Sequence, residues 1–171
     1  DVCSSDLAPN SAGANTVSCQ LRSPVTQAVV LDAAPTVSRV VASQSAVSAF
    51  NGNAGQVVGL HTVKTGIVDQ GGMQISLVQV ATGTTLATDK INKDETEAGL
   101  SATLPAAGMY RLKVSPSPVG DSYTGGISAQ LLSPSTGVIA VDGGQVLAGI
   151  VPSQSAVFSF TGLRHQVMGL F

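Results

Sequence analysis

One passage of the chain is written twice. Residues 41–61, VASQSAVSAFNGNAGQVVGLH, return at 151–171 as VPSQSAVFSFTGLRHQVMGLF, and 12 of the 21 positions are identical without a gap. The offset from Val41 to Val151, a period of 110, also holds elsewhere: SPVTQAVVLD at 23–32 matches SPSTGVIAVD at 133–142, and TVSCQLRSP at 16–24 matches GISAQLLSP at 126–134. A fixed period constrains a fold more than any local pattern, because equivalent side chains must meet equivalent surroundings once per period. A repeat of this length is the size of a self-contained core and too long for a solenoid unit. The expected organisation is therefore a tandem array. Residues 24–133 form one complete copy, 8–23 the last strand of a preceding copy, and 134–171 the truncated start of the next. Residues 1–7, DVCSSDL, fit no copy and resemble a translated DNA-sequencing adapter, so they are read as a non-native scar and kept out of the fold.

Within the complete copy the dominant periodicity is two. In MYRLKVS, Tyr110, Leu112 and Val114 point one way and Arg111 and Lys113 the other, which is the pattern of a half-buried strand. Leu100, Ala102 and Leu104 point inward on the strand before it, and the Pro105–Gly108 turn then predicts a hairpin into the Tyr110 strand. Further strands are expected over 26–31, 36–41, 45–51, 56–63, 73–80, 84–88 and 125–132, separated by NGNAG, DQGG and ATGT. No stretch keeps a helical spacing of apolar residues with caps. About nine short strands predict an all-β, antiparallel β-sandwich of the jelly-roll or Ig-like kind, with two sheets face to face. Aromatics are only 4% of the chain, so Phe50, Tyr110 and Tyr123 are expected to anchor a core otherwise built from Val, Leu, Ile and Ala.

Charge excludes some partners. Lys and Arg number 8 against 10 Asp and Glu, a formal net charge of −2, and charged residues make up 11% of the chain. No basic stripe is available for a phosphate backbone, so nucleic acid is not an expected partner. No apolar run reaches the roughly 18 residues of a membrane span, so no membrane insertion is expected. Of the two cysteines, Cys3 lies in the scar. Cys19 takes the register of Ala129 and reads as a small buried apolar residue instead of a disulfide partner or functional thiol.

No catalytic constellation is found, and the chain is read as non-enzymatic. His61 and His165 correspond in register to Phe171 and Gly55, so neither is required of every copy. No serine lies in a G-x-S-x-G turn, and no zinc spacing or phosphate-binding glycine loop occurs. The single acidic cluster is DKINKDETE, where Asp89, Asn92, Asp94, Glu95 and Glu97 offer oxygens that suit calcium. Without an EF-hand arrangement, the plainer reading is a solvated hairpin loop with Lys90 and Lys93 interleaved, and no cofactor is expected. Asp32 and Asp142 share one register before a turn, where a turn-capping Asp is favoured over a ligand.

In order, FNGNAGQVVGL, ISLVQVATGTTLATD, LSATLPAAGMYRLKVSPSP and YTGGISAQL resemble the bacterial pre-peptidase C-terminal (PPC-like) β-sandwich over about 24–133. Residues 134–171 follow the same opening through Phe160, Gly162, Gln166 and Leu170. The resemblance implies a non-catalytic module of large secreted or cell-surface bacterial proteins, including those that carry YD-repeat (RHS-type) polypeptides. VDQGGMQIS replaces the Asp-rich segment usual before the central strand, so no calcium or carbohydrate site is carried over. Three roles follow: a spacer flanked by neighbouring copies of itself; a carbohydrate- or protein-binding adhesion module, in which repetition adds avidity; or an accessory domain of a secreted hydrolase. The chain has no Trp, and its few aromatics are wanted by the core, which favours the spacer over a lectin. Residues 134–171 carry Phe158, Phe160, Met168 and Phe171 without covering strands. They are expected to form an open edge that aggregates or folds back on the complete copy.

Overall fold

The computed structural model describes residues 22–41, 44–65, 72–116 and 124–164. The assignments made for 1–7 and 8–23, and those for Cys3, Cys19, Tyr123, His165, Gln166, Met168, Leu170 and Phe171, lie outside the described residues. Eleven strands occur among the described residues: β1 (Val25–Ala28), β2 (Thr36–Val40), β3 (Ala46–Gly52), β4 (Val57–Thr65), β5 (Met73–Gln79), β6 (Thr85–Ile91), β7 (Glu97–Thr103), β8 (Gly108–Pro116), β9 (Gly125–Leu132), β10 (Ser135–Ile139) and β11 (Ala156–Phe160). No helix is present among them.

The first nine strands form an all-β sandwich. One sheet runs β1-β3-β8-β5-β6 and the other β2-β9-β4-β7. The alternation seen in the sequence supplies the core. Phe50, Ile75, Leu77, Tyr110, Leu112 and Val114 come from the first sheet, and Val58, Leu60, Leu100, Ile127 and Leu131 meet them from the second. Strands β3, β5 and β8 bury every second side chain, and β8 turns Arg111 and Lys113 outward.

Three local expectations are corrected. The β1–β3 pairing is parallel, with Val25 opposite Ala46, because the chain visits the other sheet as β2 between them and returns in its original direction. The Pro105–Gly108 turn is not a hairpin. β7 pairs with β4 and β8 with β3 and β5, so the turn is a corner that carries the chain from one sheet to the other. The segment 89–97 is likewise a crossing between sheets instead of a hairpin loop. β6 extends through the fully buried Ile91, and only residues 92–96 lie between the strands. In both places the turn signal is local, whereas the choice of sheet depends on distant partners.

Turn chemistry explains the recurring sequence words. In NGNAGQ, Gly55 sits at φ 75°, a left-handed conformation that costs glycine little, and Gln56 Oε1 accepts the Asn53 N–H at 2.9 Å. Gly55 N and Leu104 O, and Leu104 N and Gln56 O, are each 2.8 Å apart, which locks this turn to the LPAAG corner. The Tyr110 hydroxyl reaches back to donate to the Ala106 carbonyl at 2.5 Å. A fully buried phenol thereby satisfies its polar end and fixes the corner with the same bond.

Thr62, fully buried on the inner face of β4, has no hydrogen-bond partner for its hydroxyl among the described residues. Thr62→Val keeps the shape and removes the orphan group. It is expected to raise the unfolding free energy by about 1 kcal/mol, measured by urea titration.

Candidate functional site

The acidic segment read from the sequence lines an open cleft of about 460 Å³ on one edge of the sandwich, with Gln74, Thr88, Asp89, Lys90, Asn92, Glu95, Glu97 and Ala98 around it. Its carboxylates are engaged locally. Asp89 Oδ2 accepts from Gly99 N at 3.1 Å and Oδ1 from Lys90 N at 2.8 Å, so this residue holds the β6–β7 crossing together. Glu95 Oε2 accepts from both the backbone N and the Nδ2 of Asn92, each at 2.9 Å, and these bonds hold its carboxyl below the usual range. Glu97 Oε2 lies 3.0 Å from His61 Nε2 across the β4–β7 pair. Asp94 occupies the turn between the strands. Among the described residues no three His, Cys, Asp or Glu side chains gather in a way that could hold a metal ion. The structure thus places Asp89, Asp94, Glu95 and Glu97 in one neighbourhood without assembling them into a ligand set.

The residue that sequence reading missed here is Lys64. Its position continues the inward series Val58, Leu60, Thr62, which is the signal that could have found it. It is only 5% exposed, and its Nζ donates to the Asn92 carbonyl at 2.7 Å beneath the acidic turn. Loss of hydration lowers its pKa from the ordinary 10.5, and the nearby Glu95 and Asp94 carboxylates pull in the opposite direction. The folded chain thus releases this proton at a lower pH than the unfolded chain does. Stability contributed by Lys64 therefore rises as pH climbs through the window just below 10.5. Lys64→Met is expected to flatten that rise, seen as the difference between the two proteins in unfolding free energy across the alkaline range.

A second cluster lies where β9 leaves the sandwich. Asp32 adopts φ 57° and Asp142 φ 56°. The Asp32 carboxylate accepts from Ser133 N and Ser133 Oγ, both at 2.7 Å, closing the beginning of the sandwich onto its last strand. From the other side, Gln154 Nε2 donates to the Ser133 carbonyl at 2.8 Å while Gln154 Oε1 accepts from Val151 N at 3.2 Å. The same pair of bonds occurs one period earlier, where Gln44 Nε2 donates to Ser23 O at 2.8 Å and Gln44 Oε1 accepts from Val41 N at 3.3 Å. The strand pairing coincides as well: β10 and β11 are parallel with Ser135 opposite Ala156, as β1 and β3 are with Val25 opposite Ala46. β10 and β11 form a separate two-stranded sheet whose Val138, Val157 and Phe160 remain exposed.

No family model and no curated protein matches the chain. Among solved structures, it is similar to the pre-peptidase C-terminal domain of a collagenase from Bacillus anthracis, at 17% identity and TM-score 0.40, over 67% of this chain and 99% of that one. It is also similar to PliG, a periplasmic inhibitor of g-type lysozyme. The Aeromonas hydrophila protein gives 10% identity and TM-score 0.43 over 64% of this chain and 99% of that one. The Salmonella Typhimurium protein gives 15% and 0.39 over 63% and 97%. No function is carried over with this likeness.

Proposed function

We propose that this chain is a non-catalytic spacer module, one bead of a tandem β-sandwich array in a large extracellular or cell-surface bacterial protein. The observation that supports the reading best is the recurrence, one sequence period apart, of the Gln44 and Gln154 bonds, the left-handed Asp32 and Asp142, and the β1–β3 and β10–β11 registers. A feature that recurs with its geometry serves the module itself. The histidines, which align with Phe171 and Gly55 in the other copy, do not recur and serve local structure. Short joints between compact beads give reach without chemistry.

The second reading, an adhesion module for polysaccharide or a surface protein, would use the polar cleft around Gln74, Thr88 and Lys90. A glycan array probed with the chain separates the two. The spacer reading expects no saturable signal, and reproducible saturable binding to one glycan class replaces it with the adhesion reading.

A further inference from the structure

The outer face of the β2-β9-β4-β7 sheet carries a notch. Gly59 on β4 and Gly99 on β7 face outward there, on the opposite side of the sheet from the buried Leu60 and Leu100, with Ser101 directly across from Gly59. The Ser153-Gln154-Ser155 turn sits in this notch. A side chain on Gly99 would overlap the Ser153 hydroxymethyl group. One on Gly59 would run into the Ser153 carbonyl and come within 3.4 Å of Gln154 Cα. Ser155 Oγ completes the seat with a 3.0 Å hydrogen bond to Ser101 Oγ. Leu132, beside Gly59 on the same outer face, is buried although it does not belong to the core between the sheets.

We propose that this notch is a docking surface for the following copy of the module, and that the Ser-Gln-Ser turn of each copy seats on its predecessor to make a fixed joint. The occupant is a second unit of the same chain, and its beginning is already in place at residues 153–155. Three features act together. The connection between β9 and β10 is only Ser133 and Pro134, and the proline ring fixes its own φ. Ser133 is held through its N–H and hydroxyl by Asp32 of the first unit and through its carbonyl by Gln154 of the second. The turn carrying Gln154 is then pressed into a site that only glycines leave open. A joint restrained at the linker and again on the sheet face transmits orientation from one bead to the next, so the array behaves as a stiff rod and not as a loose string.

The inference rests on the array reading, but its test is independent. Residual dipolar couplings are measured on the whole chain, for amides of β3 and β8 and for those of β10 and β11, in one alignment medium. A fixed joint gives one alignment tensor for both groups. Couplings in β10 and β11 already scaled down several-fold relative to β3 and β8 would overturn the proposal. Gly99→Val, which fills the notch, is expected to reduce the β10–β11 couplings several-fold and leave those of β3 and β8 unchanged. Should valine in β7 unfold the sandwich, Gln154→Ala decides the matter, since the side-chain bonds it removes go to Val151 N and the Ser133 carbonyl and to no strand of the sandwich. It is expected to produce the same selective loss, and unchanged couplings in that variant overturn the joint. The array reading stands or falls separately, on whether the complete gene repeats the unit at the same spacing.

Discussion

Phe50→Ala lowers the unfolding free energy of the sandwich by about 3–5 kcal/mol, the expected cost of deleting a buried aromatic ring and leaving a cavity. Phe50 is 7% exposed and lies opposite Tyr110 in the β3–β8 register. The two rings are stacked with centroids 5.7 Å apart and planes inclined by 23°. For a domain of this size such a loss is a large fraction of the total stability and moves the thermal midpoint by on the order of 10 °C or more. The loss is not only one of area. A cycle of Phe50→Ala, Tyr110→Ala and the double variant should show a coupling of about 0.5–1.5 kcal/mol from the ring pair itself. Tyr110→Phe keeps the stack and loses only the bond to the Ala106 carbonyl, so its cost should be about 1–2 kcal/mol. An unchanged midpoint for Phe50→Ala would mean that β3 turns its other face to the core.

Asp32→Ala is expected to cost about 2–4 kcal/mol, although the residue is not part of the core: two charge-assisted bonds to Ser133 are lost together, and alanine must hold a left-handed φ that aspartate tolerates better. Comparison with Asp32→Gly separates the two causes, since glycine removes the bonds and relieves the backbone. Glycine should therefore be the less costly of the two by roughly 1 kcal/mol in chemical denaturation. Equal losses would assign the whole effect to the bonds that tie β9 to the start of the sandwich. No loss in either variant would mean that the Asp32 bonds to Ser133 contribute nothing measurable to stability.

Much of the sandwich is legible along the chain. Alternation at Tyr110, Leu112 and Val114 marks a strand and its inner face, because a strand's side chains alternate whatever its neighbours are. Turn words such as NAGQ and ATGT mark ends, because Gly55 and Gly83 occupy left-handed conformations set by local sterics. The repeat alone equates Gln44 with Gln154 and Asp32 with Asp142, and their bonds and backbone angles then coincide. The acidic cluster is legible in its place but not in its surroundings, since Asp89 and Lys90 belong to β6 and Glu97 to β7, on opposite sheets.

What the sequence by itself determined is thus the set of strands, their inward faces and the period, all of which follow from interactions between residues close in the chain or from identity between copies. Only the tertiary structure decided which sheet each strand joins, why Lys64 lies buried beneath the acidic turn, and that Gly59 and Gly99 leave room for Ser153. These depend on contacts between residues far apart in the chain. A glycine in a strand records the absence of a side chain but not the group that fills the space.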